Sequence, residues 1–338
     1  EQIIQHISSF ALYGFPESHS ASFALIAYAS AYLKVHHPAG FLAGLLNAWP
    51  MGFYHPATLL KDAQRRGVKV LPIDIETSHW ETRLVSNNTI RLGLRFVRGV
   101  RAAAVAHMLE LRQTHPFKNI RDFRNRTMFQ VDELERLAEA GALAAFGRTR
   151  RQALWQLGTL KHNEPLLTTL PYSETQDIKE MSPRERVASD YKTAEISVGP
   201  HPLHYLRPQL EALSLRSSSQ LGVCAHGSPV RTTGLVVVRQ RPGTAKGIFF
   251  ITLEDEFGFI NLIIPSELFE QEREKVIRAP ALVASGIVQS HSKVVHVKVD
   301  KLITLDQYLQ THSATQKIDC VAPQDLATLK STERHSFG

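Results

Sequence analysis

The sequence has few of the features that mark secreted, metal-binding or membrane-spanning proteins. Its two cysteines, Cys224 and Cys320, form no CxxC pair, which argues against a zinc site or a disulfide framework and favours a reducing cytosol. No secretory signal is visible at residue 1. The longest apolar run, Ala21–Leu33, is shorter than the roughly 20 residues of a membrane helix, so it predicts a buried core helix. These absences predict a cytoplasmic protein with no membrane partner.

The chain does carry positive charge and an ordinary share of apolar residues. A length of 338 residues predicts two or three domains. An apolar content of 43% with 21% charged residues is typical of a folded, soluble protein. The formal net charge of +7 favours a polyanionic partner, nucleic acid first; the alternative, which composition leaves open, is a basic but inert surface.

Residues 1–80 have the pattern of helices followed by a short strand. Ser18 or Ser20 is placed to cap a first helix, and Pro38 is placed to begin a second. A third helix is predicted to end before Gly67, after which the alternation in VKVLPIDI predicts a strand. We therefore predict a mainly helical unit over residues 1–80.

Residues 81–160 contain two similar helical units, each with a turn at a glycine, Gly99 or Gly141. This pattern is typical of tandem helix-hairpin-helix motifs, in which the glycine turn lets backbone amides approach a DNA phosphate. Arg101 stands where the motif normally has a second glycine, so its side chain could replace the amide contact. The alternative is that these charges are only solvated helix ends. The predicted DNA-binding residues here are Arg98, Gly99, Arg101, Arg148, Arg150 and Arg151.

The second half of the chain changes from helical to β patterns. Residues 161–222 are predicted to be a linker and a helical bridge, and residues 309–338 a polar tail. Between them, residues 223–308 contain five short strands with a helix between the third and the fourth, which is the order of an OB barrel. The predicted fold class is therefore multidomain α+β: the end of an all-α unit, a tandem helix-hairpin-helix domain and a β-barrel.

OB barrels bind single-stranded nucleic acid on their second and third strands and on two flanking loops. Four cations in those loops are predicted to contact phosphates: Arg239, Arg241, Lys246 and Lys293. Phe249 and Phe250 are adjacent on one strand, so their rings must point to opposite faces, and Phe257 and Phe259 follow. One outward ring could stack a base; the alternative is that most of these rings are buried.

The sequence contains no obvious catalytic or metal-binding cluster. Catalysis by two metal ions needs paired carboxylates, and Asp74 with Glu76 is the nearest such pair. Both fit a solvated strand end better. The acidic residues at 254–256 fall at a predicted hairpin, where acids are common. We therefore predict no catalytic residue, no metal ligand and no cofactor within this chain.

Residues 13–47 closely resemble the last part of the fingers domain of the bacterial DnaE-type (family C) DNA polymerases, the family of the polymerase III alpha subunit. The family's Ser-His-Ser-Ala core is present as Ser18, His19, Ser20 and Ala21. The stretches 47–75 and 234–264 are similar, more narrowly, to the error-prone branch, often called ImuC, of the damage-inducible mutagenesis system. The resemblance covers almost the whole chain and corresponds to the C-terminal portion of such an enzyme.

The resemblance implies a role for the first predicted helix, and it implies that the catalytic part of the enzyme is absent from this chain. Because the fingers wall the incoming-nucleotide pocket in this family, Ser18, His19 and Ser20 are candidates for that pocket; the alternative is that the serines cap the helix and His19 packs. The catalytic palm, where the family binds Mg²⁺, has no counterpart here, so the chain is expected to be inactive alone. It also ends soon after the barrel, as the error-prone branch would.

The resemblance leaves two function classes open. In the first, the chain is the DNA-holding portion of an error-prone translesion polymerase that acts in DNA damage-induced mutagenesis and repair synthesis. It would grip primer–template duplex with the hairpins and single-stranded template with the barrel. In the second, it chiefly docks the polymerase onto other mutagenesis proteins. Residues 174–181 lack the glutamine-and-aromatic pattern of a clamp-binding peptide, so direct binding to the sliding clamp is not expected.

Overall fold

The structure, a computed structural model, describes residues 17–52, 54–162, 178–243, 245, 247–291 and 294–313. Lys246, Lys293 and residues 314–338 of the predicted tail lie outside these ranges. None of the helices within them is long and apolar enough to cross a membrane.

The N-terminal region contains three helices, as its sequence pattern predicts. They are α1 (Glu17–His36), α2 (Pro38–Asn47) and α3 (Pro56–Arg65). Proline occupies the first turn of α2 and of α3, where its missing N–H costs no hydrogen bond. The chain leaves α3 through Gly67, whose φ of +87° favours glycine over other residues.

The prediction that α1 is a buried core helix is wrong within the described chain. Phe23, Leu25 and Tyr28 are 59%, 69% and 71% exposed, because α2 is the element that α1 chiefly contacts. The helix also includes Glu17, so Ser18 and Ser20 lie inside its first turn and neither serine is its N-cap. The apolar run is thus correctly assigned to a helix but not to a core.

A small mixed sheet connects these helices to the hairpin region. Its strands are β1 (Lys69–Leu71), β2 (Arg83–Ser86) and β3 (Thr89–Arg91), in the order β1-β3-β2. The sequence pattern predicts β1 but not the β2–β3 hairpin, because β2 is exposed along its whole length and shows no alternation.

Beyond the sheet, two glycine turns are followed by helical segments. The first runs from a 3₁₀ turn (Leu94–Phe96) through Gly99 into α4 (Ala102–Thr114). After α5 (Ile120–Arg126), the second runs from α6 (Val131–Glu139) through Gly141 and a 3₁₀ turn into α7 (Arg150–His162). One apolar core, contiguous in space, contains buried residues from Ala39 to Ile196. The proposed boundary between residues 80 and 81 falls within that core and stays a prediction.

The bridge and the barrel follow the predicted order closely. The bridge comprises α8 (Pro183–Ala194), a 3₁₀ turn (Pro202–Leu206), α9 (Arg207–Ala212) and α10 (Ser218–Leu221). Five strands then close a barrel in the order β4-β5-β6-β8-β7. The strands are β4 (Pro229–Gln240), β5 (Phe249–Glu254), β6 (Phe259–Ile264), β7 (Ala281–His291) and β8 (Val294–Thr304). The multidomain α+β class with a closed barrel is therefore confirmed.

Two helical details of the barrel region differ from the prediction. The single helix expected after β6 is two short ones, α11 (Ser266–Gln271) and α12 (Arg273–Arg278), because Glu272 between them leaves helical geometry. The first residues of the predicted tail belong to a further helix, α13 (Leu305–Ser313). That helix packs Leu305 and Tyr308 against Leu203 and Leu210 of the bridge, which holds it in place.

The acidic turn between β5 and β6 is not a solvated hairpin, as its sequence predicts, but the junction between barrel and helices. Glu254 is 4% exposed and Asp255 is fully buried. The Glu254 carboxylate accepts hydrogen bonds from Arg65 Nη2 at 3.0 Å and from Thr58 Oγ1 at 3.2 Å, both on α3. The prediction failed because the partners lie almost 200 residues earlier in the chain.

The rest of this acidic turn is tied to the bridge. Asp255 accepts hydrogen bonds from the backbone N–H and the hydroxyl of Ser218, each at 2.6 Å. Glu256 accepts one from Arg207 Nη2 at 2.9 Å. All three carboxylates are therefore engaged, as buried charges must be.

The nearby Lys61 anchors α3 to the bridge in the same buried region. It is 4% exposed and donates hydrogen bonds to the carbonyls of Ser197, at 2.8 Å, and Gly199. Burial lowers the pKa of Lys61 to about 8, against the opposing charge of Glu254. Burial also raises the pKa of Glu254 to about 7, although Arg65 and Thr58 both favour its charged form.

We expect Glu254 to make stability fall as pH rises towards neutrality. Its pKa increases from 4.5 to about 7 on folding, so between those values the folded chain binds a proton that the unfolded chain has lost. Glu254→Gln stays uncharged throughout. The melting temperature of Glu254→Gln minus that of wild type should therefore increase from pH 5 to pH 8. Glu274→Gln is the control, because the Glu274 side chain is 82% exposed. Its melting temperature should differ from that of wild type by the same amount at every pH. A constant difference for Glu254→Gln as well would contradict the prediction.

Candidate nucleic-acid interface

The first hairpin turn brings three arginines around Gly99. Gly99 has a φ of +76°, a conformation that favours glycine. A Cβ at this position would lie 3.0 Å from Nε and 3.1 Å from Cζ of Arg136, so the guanidinium of Arg136 lies directly over the turn. Arg98 forms an ion pair with Glu195 at 2.9 Å, and its side chain stays 47% exposed. Arg101 begins α4 on the other side of the glycine.

The backbone amide of Arg101, the one a helix-hairpin-helix turn would offer to DNA, already has an acceptor. It donates to Oε1 of Glu133 at 2.8 Å. The Arg101 side chain donates to the same carboxylate from Nε at 3.0 Å and from Nη2 at 2.8 Å. Although burial raises it, these bonds and one from the Gln130 amide hold the pKa of Glu133 below its ordinary value. Glu133 therefore stays charged and occupies this amide.

The second hairpin turn has the same form but a different charge balance. Gly141 has a φ of +80°, and a Cβ there would lie 2.7 Å from Nε of Arg150. Arg150 is only 17% exposed and pairs with Asp190 of α8 at 2.7 Å. Burial raises the pKa of Asp190, against the opposing influence of Arg150 and Ser197. Arg150 is therefore positioned as a buried connection between this turn and the bridge.

The remaining arginines predicted for this region are also engaged within the chain. Arg151 pairs with Glu185 at 2.8 Å. Arg148 is half-buried and also interacts with another group of the chain. Both stay predictions as DNA contacts. Among the predicted arginines, Arg98 and Arg101 combine an internal ion pair with about half of their side-chain surface exposed.

In the barrel, Arg239 lies on β4 rather than in the predicted loop, Arg241 follows the strand, and both contact the segment between β6 and β7. Arg239 donates from Nε to the Val276 carbonyl at 2.7 Å. The guanidinium of Arg241 lies 4.8 Å from the centre of the Phe269 ring and 3.7 Å from Glu270. The structure therefore brings these two arginines to one side of the barrel. Both stay predictions as DNA contacts, and Lys246 and Lys293 lie outside the described residues.

The aromatic residues of β5 and β6 separate into buried, outward and paired rings. Phe249 is buried and stacks on Phe269 with ring centres 4.9 Å apart, whereas Phe250 is half-buried on the opposite face. Phe257 and Phe259 are exposed but lie near Arg207 and Arg65, at 6.0 Å and 5.0 Å. Phe250 is therefore the outward ring on β5.

Strand register places polar residues beside Phe250. Phe250 pairs with Ile263 across β5–β6, and Thr252 pairs with Asn261. Asn261 in turn pairs with His296 of β8, and Ile263 with Lys298. We call these six residues the outer barrel face. Their alternation with buried neighbours is visible in the sequence, but their position beside one another depends on the parallel β6–β8 pairing, which no local pattern predicts.

The residues of the fingers-like segment, and the pair Asp74 and Glu76, lie apart from the hairpin turns and the outer barrel face. Ser18, His19 and Ser20 lie in the first turn of α1, where His19 and Ser20 are exposed and the His19 ring is 4.3 Å from Phe23. Asp74 accepts hydrogen bonds from the Glu76 and Thr77 amides, as in a local turn. No group of His, Cys, Asp and Glu in the described ranges could hold a metal ion.

Comparison with known proteins agrees with the hairpin geometry. The family described as "Helix-hairpin-helix motif" matches residues 67–153. The chain is 41% identical to the error-prone DNA polymerase of Pseudomonas aeruginosa over 314 residues, and 41% identical to that of Dechloromonas aromatica over 310. Each match covers 91% of this chain and 30% of the relative. The resemblance to the error-prone branch is therefore confirmed, and the chain spans less than a third of these relatives.

Similarity to solved structures is slight and concerns about a quarter of the chain. An asparaginyl-tRNA synthetase from Pyrococcus horikoshii matches with a TM-score of 0.24 and 20% identity, over 27% of this chain and 22% of that one. The S. pombe Stn1-Ten1 complex matches with a TM-score of 0.22 and 14% identity, over 26% of this chain and 66% of that one.

Arg150 and Arg151 are adjacent, and we expect them to differ in their effect on stability. Arg150→Gln leaves the buried Asp190 carboxylate without its partner, which should lower the free energy of unfolding by about 3 kcal/mol or more. Arg151→Gln removes the same charge next to a half-exposed partner and should change stability little. Urea unfolding of both variants measures the difference. Equal, small effects would show that the Arg150–Asp190 pair does not stabilise the fold.

Proposed function

Since this chain is a relative of the bacterial error-prone DNA polymerases and spans about 30% of their length, we propose that it is the part of such an enzyme that holds DNA. The full enzyme would join nucleotides during damage-induced mutagenesis and repair synthesis in the cytoplasm. The observation that carries the proposal is the pair of glycine turns, each beside an arginine, in the region matched by the helix-hairpin-helix family.

The hairpins would contact duplex DNA through its phosphates and without reading sequence. Support comes from the half-exposed guanidinium groups of Arg98 and Arg101 beside Gly99 and from the formal net charge of +7. Such contacts position a protein on the duplex and make binding sensitive to salt. The candidate nucleotide-pocket residues Ser18, His19 and Ser20 remain part of this proposal for the full enzyme.

The outer barrel face would contact the single-stranded template. Phe250 offers the outward ring on β5, and Asn261, His296 and Lys298 lie in register beside it. Base stacking ignores base identity, which suits an enzyme that copies damaged templates. Phe257 and Phe259 would contribute less, because arginines of the same chain already lie near their rings.

A second function is favoured by the exposed apolar side chains of α1. Phe23, Leu25 and Tyr28 on that helix could contact protein, in which case the chain chiefly docks the polymerase onto other mutagenesis proteins. The two candidates differ in whether the isolated chain binds DNA in a salt-sensitive way. Direct binding to the sliding clamp is not part of either proposal.

Phe250→Ala should weaken binding of labelled oligo-dT, measured by fluorescence anisotropy at low salt. One lost stacking contact costs about 1–3 kcal/mol, which is at least about a five-fold loss of affinity. Phe257→Ala, at a ring 53% exposed but near Arg207, is the matched control and should have a smaller effect. If wild type binds no oligo-dT, or if both variants bind as well as wild type, the template-binding proposal for the outer barrel face is wrong.

The chain alone should show no nucleotidyl transfer. Its sequence offers no paired carboxylates of the kind that align a primer end and a triphosphate on Mg²⁺, and the relatives are about three times as long. A primer-extension assay with Mg²⁺ or Mn²⁺ checks this, with a full-length error-prone polymerase as the positive control. Template-dependent extension by the purified chain would contradict the expectation.

A further inference from the structure

Arg136, in the last turn of α6, is an exposed arginine at the first hairpin turn whose side chain has no ion-pair or hydrogen-bond partner among the described residues. Its guanidinium lies over Gly99, with Nε and Cζ 3.0 Å and 3.1 Å from where a Cβ would stand. Within the described ranges it forms no ion pair and no hydrogen bond through its side chain. An exposed guanidinium beside a backbone turn is suited to the planar, two-pronged recognition of a phosphate.

The second hairpin turn provides an internal comparison. There, too, a guanidinium lies on the glycine, with Arg150 over Gly141. Arg150, however, is 17% exposed and neutralised by Asp190 at 2.7 Å. The two turns therefore share a backbone geometry and differ in charge balance. The arginine of the second turn is committed to the fold, whereas that of the first keeps its charge and its exposure.

The main-chain contact expected of the first turn is blocked. The Arg101 amide donates to the Glu133 carboxylate, which is 2% exposed and is also held by the Gln130 amide at 2.6 Å. A phosphate could take that amide only by displacing a buried, multiply bonded carboxylate. A phosphate at the Arg101 position of the first turn would therefore be contacted by a side chain, and Arg98 and Arg101 already carry ion pairs.

We propose that Arg136 is the phosphate-binding residue of the first hairpin turn, and that its guanidinium takes the place of the blocked Arg101 amide. Gly99 then has a role beyond its backbone angle, because a side chain there would press on Arg136 and shift its guanidinium. The proposal rests on the proposed function, since it names the residue through which the hairpin region would hold the duplex. The ligand is a phosphate of the DNA backbone, irrespective of base sequence.

The test compares Arg136→Gln with Arg278→Gln in the full chain. Arg278 is 79% exposed on α12 of the barrel region, so both variants lose one surface charge. Binding to two duplexes of unrelated sequence is followed by fluorescence anisotropy between 50 and 200 mM salt, a range in which phosphate contacts lose affinity steeply. Arg136→Gln should bind both duplexes several-fold more weakly, with a log–log salt slope flatter by about 0.9, whereas Arg278→Gln should keep the wild-type slope.

A further variant separates a phosphate contact from a structural role. Arg136→Lys keeps the charge but not the planar fork, so it should retain most of the salt slope and recover only part of the affinity. Melting temperatures of all three variants should equal that of wild type. If Arg136→Gln affects duplex binding no more than Arg278→Gln, or if Arg136→Lys is as weak and as flat in slope as Arg136→Gln, the assignment is overturned. If wild type itself binds no duplex at 50 mM salt, the proposed function fails and the assignment with it.

Discussion

The buried ion pair between Glu254 and Arg65 determines where the barrel sits on the helical body. Glu254 ends β5 and Arg65 ends α3, and their side chains meet at 3.0 Å, with the Glu254 side chain buried and that of Arg65 19% exposed. Buried charges are tolerated only when they are paired and their remaining polar atoms have hydrogen-bond partners. The adjoining acidic residues of the same turn satisfy this condition by binding the bridge.

Arginine serves two purposes in this chain, and burial decides which. Arg150 has lost most of its contact with water and holds the second hairpin turn to α8 through Asp190. Arg98 and Arg101 also have carboxylate partners but keep half of their surface, which leaves their outer edges open to a further anion. A row of arginines in a sequence therefore overstates the positive charge available to DNA. Much of that charge is already neutralised within the fold.

Local patterns predicted the elements of this fold well and their contacts poorly. The β patterns of the sequence correctly predicted strands at Pro229–Gln240, which is β4, and at Val294–Thr304, which is β8. The same reasoning wrongly placed the acidic β5–β6 turn in solvent and α1 in a core. Whether a turn or a helix is buried depends on residues far away in sequence, which a local pattern does not show. Arg136 was missed for the same reason: it belongs to the second helical unit but serves the turn of the first.

The apolar core that extends from Ala39 to Ile196 has a mechanical consequence. Close-packed interiors transmit displacement because their atoms have no free space into which to yield. The guanidinium of Arg95 reinforces the link, donating hydrogen bonds to the carbonyls of Asn47 and Trp49 at the end of α2. This core offers no hinge between the fingers-like helices and the hairpin turns. A rotation of α2 would therefore be transmitted through this core to the hairpin turns.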